Sequence, residues 1–266
     1  MDYKNLCTHV MQIARETGQF IKTERKKISD KDVELKDKSS LVTYVDKEAE
    51  TRIVSAVKKL IPESGFVTEE GTATHNNEKL KWIIDPLDGT TNYIHGINPY
   101  SVSIALMENN EMVLGVVYEV SLDELFYAWK GSPAFLNGKE IHVATADKIE
   151  DTLIATGFPY YNFDRMEDYI ATMKRFMKES RGLRRLGSAA VDLSYVACGR
   201  FDAFFEHALH AWDVAAGVFI LQQAGGKTTD FNGGENWLYG GELISASEKF
   251  YPEFYRTINK HLGKNN

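Results

Sequence analysis

The sequence contains little cysteine, and its two cysteines lie far apart. Cys7 and Cys198 are the only ones among 266 residues, and neither belongs to a Cys-x-x-Cys pair or another zinc-like spacing. This argues against a disulfide framework and a cysteine-rich metal site, and it predicts two packed thiols in a reducing compartment. We therefore expect a cytoplasmic protein.

The sequence also lacks a long hydrophobic run and an excess of positive charge. No segment approaches the ~18 apolar residues that suggest a transmembrane helix, and residues 1–4 are polar, unlike the start of a signal peptide. The net charge of −7 argues against nucleic acid as the main partner. With 43% hydrophobic residues, the chain can bury one large core or two modest ones.

The spacing of apolar residues predicts two amphipathic helices followed by two halves of mixed structure, divided near residue 146. Residues 1–146 are predicted to contain an antiparallel sheet with helices on one side. Residues 147–266 alternate helices and strands and are predicted to fray from Asn259 onward. The predicted helices are 2–27, 47–60, 164–179, 188–198 and 213–224, and the predicted strands are 66–67, 80–84, 101–107, 112–118, 125–129, 153–156, 202–206 and 243–246.

The most informative segment, Trp82 to Asn92, ends an apolar run in two carboxylates. The apolar residues 80–84 are followed by Pro86 and Gly89, a pattern that predicts a buried strand closing in a turn. Asp85 therefore lies at the C-terminal end of that strand.

Oxygen ligands are concentrated at this turn. Asp85 and Asp88 are three residues apart, and the Leu87 carbonyl lies between them; Mg²⁺ prefers such oxygens and often binds one or two carboxylates together with a substrate phosphate. Gly89 permits close approach of the backbone, and residues 90–92 offer N–H and hydroxyl donors for an anion. The segment predicts a magnesium site that faces a phosphate; the alternative is an ordinary Asx turn.

Four segments, in this order, resemble the motifs of the inositol monophosphatase family, which are Mg²⁺-dependent, lithium-sensitive phosphomonoesterases. They are 41–47 (LVTYVDK), 66–70 (FVTEE), 85–92 (DPLDGTTN) and 211–217 (AWDVAAG). The resemblance implies an α/β (α+β) fold, a layered α-β-α-β-α sandwich of the sugar-phosphatase type with two closely packed subdomains. It also implies a homodimer.

The resemblance further implies two to three Mg²⁺ ions in each active site. The implied metal ligands are Glu69, Asp85, the Leu87 carbonyl, Asp88 and Asp213. Residues 1–146 would thus carry most of the ligands, and residues 147–266 would supply Asp213 and substrate contacts.

For catalysis, the resemblance implies that Glu69 helps to activate the attacking water, with Thr90 and Asp46 as an orienting pair. Glu70 is an alternative to Glu69, but adjacent strand residues point to opposite faces, and Glu69 aligns with the family's ligand. Asp213 has an alternative role as the N-cap of a helix beginning at residue 214.

The substrate contacts implied by the resemblance lie on both halves of the chain. They are Asp88, Gly89, Thr90, Gly187, Ser188, Ala189, Glu206, Asp213 and Lys36. Lys38 is an alternative to Lys36, and a glutamate at a strand end, such as Glu206, is solvated by default.

Three features remain open to two interpretations. The aromatic segment 158–163 is either a lid or a packing surface at an interface. Arg184 and Arg185 either meet a second phosphate or are solvated. His210, three residues before Asp213, either supports the metal site or is structural.

The leading hypothesis is Mg²⁺-dependent hydrolysis of a small-molecule phosphate monoester, inositol monophosphate or a similar sugar phosphate. NADP(H) 2′-phosphatase, fructose-1,6-bisphosphatase and 3′-phosphoadenosine-phosphate phosphatase activities are alternatives with the same chemistry. A regulatory protein that binds protein or RNA is the alternative from another class.

Overall fold

The structure, a computed structural model, describes residues 1–27, 33–37, 40–73, 79–159 and 163–263, with the backbone alone for 33–37 and 40–42. Its α-helices are α1 Tyr3–Glu24, α2 Tyr44–Leu60, α3 Thr90–His95, α4 Met166–Glu179, α5 Ala189–Ala197, α6 Ala211–Gln223 and α7 Tyr251–Leu262. Its strands are β1 Val33–Asp37, β2 Ser40–Thr43, β3 Gly65–Thr68, β4 Leu80–Asp88, β5 Ser101–Glu108, β6 Glu111–Glu119, β7 Glu124–Trp129, β8 Ala134–Leu136, β9 Lys139–Ile141, β10 Leu153–Thr156, β11 Gly182–Arg184, β12 Ala203–His207, β13 Gly226–Thr229 and β14 Glu242–Ser247.

The first two helices begin at side-chain caps. The Asp2 carboxylate accepts the Asn5 N–H at 3.0 Å before α1. At α2, Thr43 and Asp46 form a reciprocal capping box, which satisfies main-chain donors that a helix start leaves unpaired. Both helices bury one apolar face, as their sequence periodicity predicts.

The larger sheet has seven strands in the order β3-β4-β5-β6-β7-β8-β9. The prediction of a purely antiparallel sheet is wrong at one pair, because β3 and β4 run parallel. Strand β4 shifts its register against β5 between Asp85 and Asp88. Pro86 lies inside this irregularity, where it has no N–H to donate to a regular ladder.

The smaller sheet has five strands in the order β11-β10-β12-β14-β13. Strand β10 pairs in parallel with β11 and β12, and the remaining pairs are antiparallel. The β12–β14 pairing brings the end of β12 beside the start of β14 and aligns Glu206 with Leu243.

Helices cover both faces of the larger sheet, so the prediction of helices on one side is wrong. Neighbouring residues of β4 show the reason: Ile84 packs into the core shared with α1 and α2, whereas Ile83 packs into the core shared with α5 and α6. A strand buried on both faces needs apolar residues in succession, and such a run does not reveal that both faces are covered by helices.

The molecule therefore has five layers, and the predicted layered α/β sandwich is confirmed. Helices α1 and α2 cover one face of the larger sheet, α5 and α6 lie between the two sheets, and α4 and α7 cover the smaller sheet. No helix of the described residues is long and apolar enough to span a bilayer.

The prediction that the chain frays from Asn259 onward is partly wrong. Asn259 to Leu262 form the last turn of α7 instead of a frayed tail, and residues 264–266 lie outside the described residues. Leu262 is fully buried, and Asn259 Nδ2 donates to the Phe231 carbonyl at 3.1 Å. Packing against the smaller sheet stabilises a terminal helix whose length alone would leave it marginal.

Candidate active site

The end of β4 places two carboxylates and a tight turn at one point. Asp85 is buried, and its Oδ1 accepts the Leu87 N–H at 2.9 Å. Gly89 follows with φ of 93°; a Cβ there would lie 3.0 Å from the Pro99 carbonyl oxygen and 3.1 Å from that of Gly187. Both the backbone conformation and the space therefore favour glycine at this turn.

Asp88 is held by the start of α5. Its Oδ2 accepts the Ser188 hydroxyl at 2.6 Å and the Ala190 N–H at 2.8 Å. Ser188 and Ala189, which the resemblance assigns to substrate, thus lie against the Asp88 carboxylate. Asn92 ties the adjoining loop down, since its Nδ2 donates to the Leu186 carbonyl at 2.7 Å.

Asp213 lies at the third position of α6. The helix begins at Ala211, so the alternative that Asp213 is the N-cap of a helix starting at 214 is wrong. Its Oδ2 accepts the main-chain N–H of His210 at 2.6 Å. The His210 ring stacks on Trp212 with centroids 4.6 Å apart, so this histidine supports the helix start that presents Asp213.

Glu69 directly follows β3 and lies beside β4. Its N–H donates to the Ile84 carbonyl at 3.3 Å, next to Asp85 in the chain. The Glu69 charge is the largest of the neighbouring charges that raise the pKa of Asp85, whereas the charge of Glu70 acts on Asp46. The charge of Glu69 thus acts at the end of β4, and that of Glu70 acts at the start of α2.

The four carboxylates oppose each other's ionisation. Burial raises the pKa of Asp85 well above its ordinary value, and the charges of Glu69, Asp88 and Asp213 raise it further. Burial also raises the pKa of Asp88 to about 6, although hydrogen bonds from Ser188 and the start of α5 act in the opposite direction. The pKa of Asp213 is raised by burial and then by the charge of Asp88.

This donor set fits a hard divalent cation. Within the described residues, no three His, Cys, Asp or Glu side chains are already arranged as a closed set of metal ligands. The carboxylates are nevertheless close enough for each to disfavour its neighbour's charge, and bound positive charge would remove that cost. Oxygen-only donors suit Mg²⁺ better than zinc or copper.

Thr90 and Asp46 are in contact although 44 residues separate them. Thr90 Oγ1 lies 3.0 Å from Asp46 Oδ1 and 3.0 Å from the Leu87 carbonyl oxygen. The other Asp46 oxygen accepts the N–H and hydroxyl of Thr43. Burial raises the pKa of Asp46 to about 6, so the carboxylate is mostly ionised at neutral pH and accepts a hydrogen bond from Thr90.

Glu206 is buried, so the expectation of a solvated glutamate at a strand end is wrong here. The carboxylate packs directly against Gly157: a Cβ there would lie 1.8 Å from Glu206 Oε1, so a larger residue would displace the carboxylate. Burial raises the pKa of Glu206 to about 8, and the charge of Arg185 opposes that shift. The interpretation of two solvated arginines holds for the exposed Arg184, but Arg185 is half-buried and lies over the Phe158 ring at 5.7 Å.

Two of the predictions fall where side chains are not described. Lys36 lies in β1, for which only the backbone is described, and Lys38 lies outside the described residues. Residues 160–162 of the aromatic segment also lie outside them. Phe158 and Phe163, which flank those three residues, are exposed.

Asp192, a buried carboxylate near the site, is missed by the sequence analysis. It lies on α5 with 1% exposure, and its Oδ1 has no hydrogen-bond partner in the described part of the chain. Burial, and then the charges of Glu206 and Asp88, raise its pKa well above the ordinary value. Its place among the apolar residues of α5 is the only sequence signal of its burial.

Asp192→Asn is expected to stabilise the metal-free protein, by an amount that grows with pH. A folded-state pKa above the unfolded value means that the folded state binds more protons. The free energy of unfolding therefore decreases as pH rises from the unfolded-state pKa toward the folded-state pKa. The amide removes that loss, and we expect a gain of about 1 kcal/mol or more at pH 8 and a smaller gain at pH 5. Urea denaturation with EDTA measures it. The exposed Asp147→Asn serves as control, and an equal gain in both variants would contradict the expectation.

Comparisons with known proteins show the family and the fold. Residues 2–263 match the inositol monophosphatase family. Over 95% of its length, the chain is 37% identical to inositol-1-monophosphatase of Mesorhizobium japonicum and 37% identical to Nus factor SuhB of Pasteurella multocida, covering 96% and 95% of those proteins. The crystal structure of extragenic suppressor protein suhB from Bartonella henselae superposes with a TM-score of 0.91 at 36% identity, covering 96% of this chain and 99% of that one.

The layered fold, the carboxylate cluster and these similarities define the class of the protein as a phosphoric monoester hydrolase. Within that class, the chain belongs to the inositol monophosphatase family.

Proposed function

We propose that the protein hydrolyses inositol monophosphate or a similar sugar phosphate with two to three Mg²⁺ ions. The observation that carries the proposal is the buried Asp85, whose pKa is raised by the charges of Glu69, Asp88 and Asp213. These four side chains and the Leu87 carbonyl would hold the metal. When bound, Mg²⁺ supplies positive charge to the phosphoryl oxygens and makes a coordinated water more acidic.

The chain itself supplies a route for the proton of the attacking water. Thr90 donates its hydroxyl hydrogen toward the ionised Asp46 carboxylate, which leaves the Thr90 oxygen lone pairs available to accept from water. Glu69 would be the second acceptor at the same place. Thr90 Oγ1 is held between the Asp46 carboxylate and the Leu87 carbonyl, so it needs little reorganisation during the reaction.

Glu206 and the residues around it would bind the sugar or cyclitol. Glu206 is a buried carboxyl group that would hydrogen-bond a substrate hydroxyl, and Arg185 is the cation whose charge acts on both Glu206 and Asp88. Because the charge of Arg185 already offsets that of these carboxylates, a single-phosphate substrate with hydroxyl groups suits the site better than a bisphosphate. Gly89, Thr90 and Gly187 would lie nearest the phosphate, with Ser188 and Ala189 behind Asp88.

A substrate panel tests this proposal. Phosphate release is measured from inositol-1-phosphate, NADP⁺, fructose-1,6-bisphosphate and 3′-phosphoadenosine phosphate, with Mg²⁺ and with EDTA. We expect a preference for inositol-1-phosphate that disappears with EDTA. A preference for one of the other three compounds would assign the site to the corresponding alternative activity.

A matched pair of variants locates the reaction. Glu69→Gln is expected to lower kcat by about 100-fold or more, because it removes a proposed metal ligand and proton acceptor. Glu70→Gln changes the neighbouring residue and is expected to stay within about fivefold of the wild type. Equal losses in the two variants, or turnover that survives EDTA, would overturn the assignment of Glu69.

A regulatory role is a second candidate, favoured by the name Nus factor SuhB carried by some relatives. A complex with transcription components that survives Asp88→Asn would support a role separate from hydrolysis. We further propose a cytoplasmic location, in keeping with two free cysteines. A homodimer is proposed from the family resemblance alone. The division into residues 1–146 and 147–266 and sensitivity to lithium also remain predictions.

A further inference from the structure

Glu50 is a buried carboxylate close to the proposed metal site that the mechanism does not use. It lies on α2 with 0% exposure, and among the described residues it forms no ion pair. A buried charge without a partner of opposite sign is costly unless hydrogen bonds satisfy it. Its contacts therefore indicate its role.

Both oxygens of Glu50 bind the loop that begins with Glu69. Oε2 accepts the Glu70 N–H at 2.7 Å. Oε1 accepts the N–H of Thr72 at 2.8 Å and its hydroxyl at 2.7 Å. Hydrogen bonds to a charged acceptor are stronger than neutral ones, so these three hold the loop firmly against α2.

The loop backbone is shaped for this contact. Gly71 has φ of 68°, the left-handed region that glycine adopts without strain. It separates the two residues whose N–H groups converge on Glu50, an arrangement in which successive amides form a concave site for an anion. Here the anion is a side chain of the protein itself.

Helix α2 thereby holds two parts of the proposed active site at once. Asp46 and Glu50 are four residues apart and so lie on the same face of the helix. Asp46 contacts Thr90, and Glu50 holds the loop after Glu69. On its other side, this loop is held to β4 through the Glu69 N–H and the Ile84 carbonyl.

We infer that Glu50 is a positioning residue that fixes the Glu69 loop on α2, so that Glu69 is held in place to bind metal. The inference rests on the proposed function, because Glu69 is the proposed ligand. Groups that orient a metal ligand typically change metal affinity by about 10- to 100-fold when removed. Glu50 should act on the affinity for Mg²⁺ more than on the reaction at saturating Mg²⁺.

Glu50→Gln is the principal test, with Glu48→Gln as its matched control. Glutamine keeps the shape but offers an NH₂ group to the amides that now donate to an oxygen. We expect the Mg²⁺ concentration for half-maximal turnover to rise about 10-fold or more, with kcat at saturating Mg²⁺ within about threefold. Glu48 lies two residues away on the same helix, pairs with Arg52 on the surface, and should show no change.

Two measurements independent of turnover complete the test. Amide hydrogen exchange should accelerate about 10-fold at Glu70 and Thr72 in Glu50→Gln, with β4 unaffected. Calorimetric titration with Mn²⁺ should show the same loss of affinity as the Mg²⁺ dependence. If Glu50→Gln does not fold, Thr72→Val removes the hydroxyl donor alone and should raise the Mg²⁺ requirement about threefold.

The outcomes separate this inference from the proposed function. Wild-type turnover that needs Mg²⁺ and Glu69, with Glu50→Gln indistinguishable from Glu48→Gln, would overturn the inference and leave the function standing. Absence of Mg²⁺-dependent turnover in the wild type would overturn the function, while hydrogen exchange and Mn²⁺ binding would still decide whether Glu50 positions Glu69. A loss of kcat without a change in metal affinity would also contradict the inference.

Discussion

Asp85→Asn is expected to abolish Mg²⁺-dependent phosphate release and, at the same time, to raise the melting temperature of the metal-free protein. Asp85 is buried among three other carboxylates that oppose its ionisation. The amide cannot bind Mg²⁺ as a carboxylate does, so we expect turnover to fall by about 10³-fold or more.

The gain in stability has the same origin as the loss of activity. Removing one of several mutually repelling charges stabilises the folded state when no cation is present, by about 1 kcal/mol or more, which is about 2–4 °C in a chain of this size. Sites that bind charged ligands commonly carry such a cost in stability.

Differential scanning calorimetry at pH 8 with EDTA and with Mg²⁺ tests both effects. Mg²⁺ should stabilise the wild type and leave Asp85→Asn unchanged, because only the wild type retains the site. Asp147→Asn, at an exposed aspartate, should behave as the wild type in both conditions. A lower metal-free melting temperature in Asp85→Asn, or a preserved shift with Mg²⁺, would contradict the metal-site assignment.

The stability of the metal-free wild type is expected to fall between pH 7 and pH 9. Burial raises the pKa of Glu206 to about 8, and the pKa values of Asp85, Asp192 and Asp213 are raised well above their ordinary range. In each case the folded state binds protons more tightly than the unfolded chain, so stability decreases as pH rises toward the folded-state pKa.

One such group contributes a slope of up to about 1.4 kcal/mol per pH unit, and we expect a total decrease of about 2 kcal/mol or more over this range. Burial lowers the pKa of His207 below its ordinary value of 6.5, so its effect is a loss of stability as pH falls below that value. It does not change the stability between pH 7 and pH 9.

Mg²⁺ should weaken this pH dependence. It binds the ionised carboxylates, so its stabilising effect should grow from pH 7 to pH 9 as protons no longer compete for them. Urea denaturation at pH 7, 8 and 9, with EDTA and with Mg²⁺, gives the two curves. A metal-free stability that is flat or rises over this range would show that these carboxylates do not carry the predicted proton affinity.

The layered fold and the turn at the end of β4 follow from local patterns and from the resemblance. The apolar run before Asp85, the proline and the glycine specify a strand and a turn that involve only neighbouring residues. The bounds of α1, α2 and most of the predicted strands are likewise close to those that the periodicity predicts, whereas β1, β2, β8, β9, β11 and β13 were not predicted. The parallel pairing of β3 with β4 was not predictable, because strand direction depends on which segments meet in space.

Glu50 and Asp192 show why part of the site was missed. Glu50 lies on the buried stripe of α2, three and seven residues before Ile53 and Val57, and this was a usable signal of burial. Nothing in the sequence indicates that its partners lie 20 and 22 residues away. Asp192 is likewise identified only by the charges that the fold brings beside it.

The sequence by itself determined the residue types and local geometry of the site: two carboxylates on a strand that ends in a glycine turn, and a third at the start of a helix. Only the tertiary structure decided their electrostatic state and their supports. A carboxylate's proton affinity depends on its burial and on charges from distant segments, so the raised pKa of Asp85 and the contact of Glu50 with the Glu69 loop arise only when the layers pack together.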